Sequence, residues 1–302
     1  MPMSTKRLIV IVGPTGSGKT SLSIDIARHM GAPIISTDSR QLYRGMAIGT
    51  AQPTIEELAK AEHHLIACHE IEDEYNCGSY EKEALETLEM LFSQHDNVVA
   101  VGGSGLYIKA LCEGLDPLPE VSDQLRANLR EELKNEGLEP LLAKLKELDP
   151  TFYEVVDQAN PSRILRALEV TIASGKPYSE LRSGAVAKRN FDIIKIGIDM
   201  NRERLYQRIN KRVDMMIQAG LEAEAQTLYP HRALNSLQTV GYREMFDYFD
   251  GTITREQAIE LIKRNSRRYA KRQMTWFRRD DDIHWIDEPD IELVLRDVII
   301  SP

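Results

Sequence analysis

A doubly wound parallel α/β sheet with flanking helices, interrupted by an inserted, mostly helical domain, is the fold class this sequence predicts. Three observations predict it. Apolar runs without polar alternation recur at "LIVIV" (8–12), "APIISTD" (32–38) and "NVVAVGG" (97–103), the pattern of strands buried on both faces of a parallel sheet. Helical periodicity fills the chain between them, so strand and helix alternate. From "GLDPLPEVSD" onward the pattern changes: residues 122–182 carry lysine, glutamate and leucine at helical spacing, and only "FDIIKIGIDM" (191–200) reads as a strand again. The expected division is a core of 1–117 with 190–302 and an insert of 118–189.

The first strand, Leu8 to Val12, runs into "GPTGSGKT": Gly13, four residues, Gly18, Lys19, Thr20. Every fixed position of the phosphate-binding P-loop is filled. A helix follows, with Leu22, Ile26 and Met30 at i, i+4 and i+8 and Gly31 where a C′ glycine would end it. The loop Gly13, Pro14, Thr15, Gly16, Ser17, Gly18, Lys19 and Thr20 would hold the phosphate, with the backbone N–H groups available within residues 14–20 converging on an oxyanion at that helix N-terminus. Proline, lacking an N–H, adds only shape. Lys19 supplies a point charge and Thr20 a hydroxyl facing Mg²⁺.

The second strand ends in "STDSRQLY", where Asp38 would face whatever lies over the phosphates. It reads as a Mg²⁺ ligand, as a general base, or as an N-cap for the turn at Ser39. The strand Val98 to Val101 ends in Gly102 and Gly103 with no acid, a departure from P-loop ATPases, which close such a strand with a Walker-B aspartate. Ser104 lies in the second glycine turn, "GGSG", whose N–H groups cap another helix; two such loops suggest a diphosphate ligand. "HHLIACH" gathers His63, His64, Cys68 and His69. A tetrahedral zinc site needs four ligands, and with no partner elsewhere the cluster reads better as packing and hydrogen bonding.

In the insert, "ANPSRILRALEV" puts Arg163 and Arg166 on one helix face. Arg208 and Arg212, in "RLYQRINKRVDMM", are four apart and could clamp phosphate oxygens bidentately, or simply be solvated. The last helix opens with a capping box at Thr254 and Gln257. Arg264, Arg268 and Arg272 then step by four alongside Lys263, Arg267 and Lys271, a continuous cationic stripe. Tyr269, Trp276 and Phe277 lie among or just after these charges, which suits a phosphate backbone with bases stacked nearby; a membrane surface or a partner protein is the alternative.

The whole chain constrains these readings. At 302 residues it can hold about two domains. Its net charge of −9 argues against nucleic acid only if spread evenly, yet residues 263–279 hold eight Lys/Arg and no acid. No stretch approaches the ~18 apolar residues of a membrane span, and "MPMSTKRLIV" is too short in its apolar part for a secretory signal. A cytoplasmic location is expected. Cys68, Cys77 and Cys112 lack CxxC spacing and read as buried thiols.

In order, "GPTGSGKT", "STDSRQLYRGMAIGTAQP", "VGGSGLYIKALCEGLDPLP", "NPSRILRALEVTIASGKP", "VGYREM" and "AKRQMTWFR" span nearly the whole chain. Their combination resembles the tRNA dimethylallyltransferases, or tRNA isopentenyltransferases. The resemblance implies a P-loop nucleoside-triphosphate-hydrolase-like fold in which the loop holds dimethylallyl diphosphate, with diphosphate as leaving group and Mg²⁺ as cofactor. The acceptor would be the exocyclic amine of an adenosine adjacent to the anticodon of tRNA, flipped out of its loop. Asp38 is then the base; Lys19, Thr20, Ser104 and Arg212, preferred over Arg208, stabilise the departing charge. It further implies contacts to the tRNA anticodon stem-loop at Asp38, Ser39, Arg40, Gln41, Ser104, Arg126, Ser162, Arg163, Arg166, Gln238, Gly241, Tyr242, Arg243, Lys271, Arg272, Gln273, Trp276 and Arg278. Two departures stand out: the family often has threonine at position 104, and the C-terminal zinc finger of eukaryotic members is not seen, so the resemblance is to the bacterial type. A monomer is expected. The rival reading is a small-molecule P-loop kinase using ATP, which leaves the cationic helix unexplained; an RNA-binding nucleotide switch is a third.

Overall fold

The computed structural model describes residues 6–182, 184 and 186–296. The ends of the expected core, residues 1–5 and 297–302, lie outside the described residues, and with them the first half of the "MPMSTKRLIV" segment weighed as a signal. The elements in chain order are β1 (Arg7–Val12), α1 (Lys19–Met30), β2 (Ile34–Ser36), α2 (Ile55–Leu58), β3 (His63–His64), α3 (Cys77–Phe92), β4 (Asn97–Val101) and α4 (Gly105–Glu113). There follow α5 (Asp123–Glu136), α6 (Glu139–Leu148), α7 (Pro150–Val155), α8 (Pro161–Ser174) and α9 (Tyr178–Leu181). The chain continues with β5 (Asp192–Ile198), α10 (Arg202–Gln218), α11 (Leu221–Leu228), α12 (Tyr242–Phe249), α13 (Arg255–Phe277), β6 (Ile283–Ile286) and α14 (Ile291–Val294).

Two compact units result: residues 1–112 with 188–302, and residues 113–187. The first holds a six-stranded sheet in the order β3-β2-β4-β1-β5-β6. Every pairing is parallel. Leu8 to Val12 are completely buried at the sheet centre, which is why β1 contains no polar alternation. Its two faces feed different cores: Leu8, Val10 and Val12 pack with Tyr80, Leu88 and Leu111, whereas Ile9 and Ile11 pack with Leu22, Ile26 and Ile209. A third cluster joins Met46, Val213, Leu221, Tyr242 and Phe246.

Two strands were not anticipated. β3 is the pair His63–His64 on one sheet edge, and β6, "IHWI", closes the other after the last long helix. Both are short, partly polar edge strands, so neither presents an apolar run. α1 ends at Gly31 with φ 60°, as its sequence requires, and α13 opens on the Thr254–Gln257 capping box.

The second unit is all helical. Leu129, Leu141, Leu145, Phe152, Ile164 and Leu168 form its core. Asp149, fully buried, accepts hydrogen bonds from Phe152 N–H (2.9 Å), Ser179 N–H (2.7 Å) and Ser179 Oγ (2.7 Å). Among the described residues no helix is long and apolar enough to cross a membrane.

Candidate active site

The carboxyl ends of β1, β2 and β4 deliver three loops to one cavity of about 380 Å³, lying wholly in the first unit. The P-loop contributes Thr15, Lys19 and Thr20 to its wall. Gly18 caps α1 with φ 102°, a conformation a residue with a Cβ rarely adopts. Lys19 Nζ donates to Pro14 O at 2.8 Å. Burial, with the nearby Arg212 charge adding to it and Asp38 opposing, lowers the Lys19 ammonium to about 7. Ser17 Oγ is buried with no hydrogen-bond partner among the described residues.

Asp38 also lines the cavity. Its Oδ1 accepts from the N–H groups of Arg40 (2.9 Å) and Gln41 (3.3 Å). The turn-capping reading therefore describes one oxygen; for Oδ2 no hydrogen bond is present among the described residues. The base and cap readings are compatible, because each uses a different oxygen.

α10 separates its two arginines. Arg212 lines the cavity, whereas Arg208 is exposed and donates through Nε to Gly16 O (2.8 Å), gripping the P-loop from outside. Burial pushes the Arg212 guanidinium below its ordinary value, and Asp38 pulls in the other direction; arginine still carries its charge. Ile209, Val213 and Met216 share the Arg212 face of α10, at i, i+3, i+4 and i+7, and line the same cavity with Ile66, Val240 and Ile262. That spacing was readable in "RINKRVDMM" but passed over in favour of the charges.

Several of the expected contact residues are also engaged within the protein. Ser104 is absent from the cavity wall: its Oγ accepts from Ser39 N–H (2.9 Å), donates to Ser39 Oγ (3.1 Å) and shares a hydrogen bond with Tyr269. It joins the two loops to α13. Tyr269 lines the cavity, its hydroxyl pushed up to about 12 by burial and by the Asp38 charge. Tyr242, expected at the RNA, is fully buried and its hydroxyl donates to Glu224 (2.7 Å), so its side chain presents nothing to a ligand. Gln41 spends its amide on Thr50 O (3.2 Å) and Ala51 O (2.8 Å), and Arg40 Nη1 donates to Asn235 O (2.8 Å) and Ser236 O (3.1 Å). Arg40 and Gln41 nevertheless line the cavity, as do Ser39, Gln238, Gly241, Arg243, Arg272 and Gln273.

The cationic stripe of α13 is narrower than its sequence suggests. Lys263 is paired with Asp214 (2.8 Å) and Glu260 (3.2 Å), Arg267 donates to Asn210 (2.6 Å), and Arg278, beyond the helix, pairs with Asp199 (2.8 Å). Arg264, Arg268 and Lys271 are exposed and have no ion pair among the described residues. Arg272 lies over the Tyr269 ring at 5.6 Å. Trp276 is half-buried against the first core. Arg126, Ser162, Arg163 and Arg166 belong to the second unit; Ser162 and Arg163 are exposed, Arg126 pairs with Asp123 and Arg166 with Glu169, both at 3.4 Å.

The histidine cluster splits. His63 and His64 enter β3, while Cys68, His69 and Glu83 bring ligand atoms within 4.8 Å of one another. Glu83 is satisfied by His69 (2.9 Å) and Tyr75 (2.5 Å), so hydrogen bonding accounts for it. Only Cys112 is buried; Cys68 and Cys77 are half-buried, a correction to the expected buried thiols, and desolvation pushes them up to about 11 and 12.

A P-loop sheet whose phosphate cradle opens onto a carboxylate, a half-buried arginine and a patch of apolar side chains, beside a cationic helix, places the chain in the class of P-loop transferases. The IPP transferase family model matches residues 41–280. The tRNA dimethylallyltransferase of Christiangramia forsetii is 52% identical over 93% of each chain, and tRNA dimethylallyltransferase 1 of Phocaeicola vulgatus is 48% identical over 97% of this chain and 98% of its own. The full-length tRNA isopentenylpyrophosphate transferase of Bacillus halodurans superposes with a TM-score of 0.68 at 38% identity, covering 93% of this chain and 90% of its own. A eukaryotic dimethylallyltransferase solved acting on tRNA gives 0.81 at 25%, covering 96% and 76%. The chain belongs to the IPP transferase family, that of the tRNA dimethylallyltransferases.

Proposed function

We propose that the chain transfers the dimethylallyl group of dimethylallyl diphosphate to the exocyclic amine of the adenosine adjacent to the anticodon in tRNA, releasing diphosphate. The observation that carries this reading is the convergence of Lys19, Arg212 and Asp38 on one cavity that also takes in the apolar side chains of Ile209, Val213, Met216 and Ile262. Lys19, Arg212 and the P-loop amides receive the diphosphate; Ile209, Val213, Met216 and Ile262 accommodate the prenyl chain. The amine nitrogen forms its bond to C1 of the prenyl chain, the carbon that bears the diphosphate, as the bond from that carbon to the diphosphate oxygen breaks. That electron pair leaves on the diphosphate oxygen, and the amine proton passes to Asp38 Oδ2.

Thr20, in the cavity wall, carries a hydroxyl oxygen of the kind a hard cation takes. Thr20 would hold Mg²⁺, which when bound supplies charge neutralisation on the leaving group. Tyr269, half-buried in the same wall, offers a ring for the flipped base. A tRNA substrate supports a cytoplasmic location, and a monomer is the state we assign, checked by light scattering.

The kinase alternative is disfavoured because β4 is followed by Gly102 and Gly103, without a metal-binding acid. The test is incubation with Mg²⁺, radiolabelled dimethylallyl diphosphate and unmodified tRNA, without ATP. Label enters RNA, and Lys19→Ala abolishes its entry. Folded protein that incorporates nothing, yet turns over ATP on a metabolite, would sink the reading.

A further inference from the structure

Gln273 was expected to touch RNA, and its helix does carry exposed cations: Lys271 and Arg272 precede it directly. Its own side chain turns the other way. It is 6% exposed, its Oε1 accepts the Thr15 N–H at 2.9 Å, and its Nε2 donates to Gly103 O at 2.9 Å. One amide thus joins the P-loop, 258 residues away in sequence, to the second glycine loop, 170 residues away. The fit depends on glycine: a Cβ at position 103 would sit 2.1 Å from Gln273 Nε2. Thr15 itself lines the cavity, so this brace acts on the wall of the phosphate site.

We propose that Gln273 is a positioning residue for the diphosphate cradle, fixing the P-loop against the loop after β4 from the helix that carries the RNA-facing charges. The proposal rests on the diphosphate reading above. Without the brace, the Thr15 amide and the Gly103 carbonyl lose their partner and the cradle is no longer held in its binding geometry.

The experiment uses the full chain. Gln273→Met preserves side-chain length and removes both hydrogen bonds. Gly103→Ala leaves Gln273 in place but displaces its amide. Pyrophosphate binding with Mg²⁺, in the absence of RNA, is read by titration calorimetry; tRNA affinity is read by filter binding, and folding by near-ultraviolet circular dichroism. Each variant weakens pyrophosphate binding on the order of tenfold, the scale of one or two hydrogen bonds. Each keeps its tRNA affinity within about twofold. The double variant is no weaker than the worse single one, because both act through one contact. Unchanged pyrophosphate affinity in folded variants would leave Gln273 a packing residue and overturn the proposal; loss of tRNA affinity alone would return it to the RNA surface. Wild-type protein that binds no pyrophosphate would sink the diphosphate reading itself, and this proposal with it.

Discussion

Lys19 and Asp38 carry opposite charges into one cavity, and their neighbours decide what each can do. Because burial lowers Lys19 to about 7 in the free protein, much of it is neutral at pH 8, and an incoming anion restores its proton. Anion binding above pH 7 therefore takes up a proton, and affinity falls as pH rises through that point. Calorimetry of pyrophosphate binding at pH 8, in two buffers of different ionisation enthalpy, should show uptake in the wild type and less in Lys19→Ala, the ligand's own ionisation being common to both. Equal uptake would place the proton elsewhere. Asp38 divides its labour by oxygen. Asparagine keeps Oδ1 as acceptor for the Arg40 and Gln41 amides, so the loop stays folded in Asp38→Asn while the proton acceptor is lost. We expect kcat to fall by about 10²–10⁴ with tRNA affinity nearly intact; a large loss of tRNA binding with kcat retained would make Asp38 a binding residue.

At the scale of elements, α13 does two jobs on different faces, and its charges differ in what they are free to do. Arg264 and Arg268 face solvent without an ion pair among the described residues, whereas Lys263 is held by Asp214 and Glu260. Replacing Arg264 and Arg268 together should weaken binding of every tRNA and reduce the slope of log affinity against log salt by about 0.7–0.9 per lost phosphate contact. Lys263→Ala should leave the slope nearly unchanged; equal effects would mean that its acidic partners release it to RNA. The outline of α13 was legible because a capping box, a long periodic run and a block of like charge agree. Which charges were already paired was not, because Asp214, Asn210 and Asp199 lie far away in sequence. Tyr242 and Gln41 show the same limit: "VGYREM" and "STDSRQLY" mark conspicuous polar and aromatic residues, yet the hydroxyl and amide are spent on Glu224 and on the 50–51 backbone. The P-loop was fully legible, since its chemistry is local. β3 and β6 escaped because a two-residue and a four-residue edge strand present no periodicity.

Across the whole molecule, every residue of the cavity belongs to the first unit, whereas Arg126, Ser162, Arg163 and Arg166 belong to the second. Donor binding and RNA engagement should therefore be separable by damaging the second unit alone. Asp149 is the place to do it: a fully buried carboxylate at the junction of α6 and α7 that satisfies two N–H groups and a hydroxyl. Asp149→Ala leaves one buried and two partly buried donors without their acceptor, a loss of about 2–4 kcal/mol concentrated in the helical unit. We expect an earlier thermal transition that removes helical signal, pyrophosphate affinity within about twofold of wild type, and prenyl transfer into tRNA sharply reduced. Pyrophosphate binding lost in parallel would show that the two units do not fold independently. Transfer that survives melting of the second unit would mean that none of its four polar residues is needed to hold the RNA, and would confine recognition to α13 and the loops around Asp38.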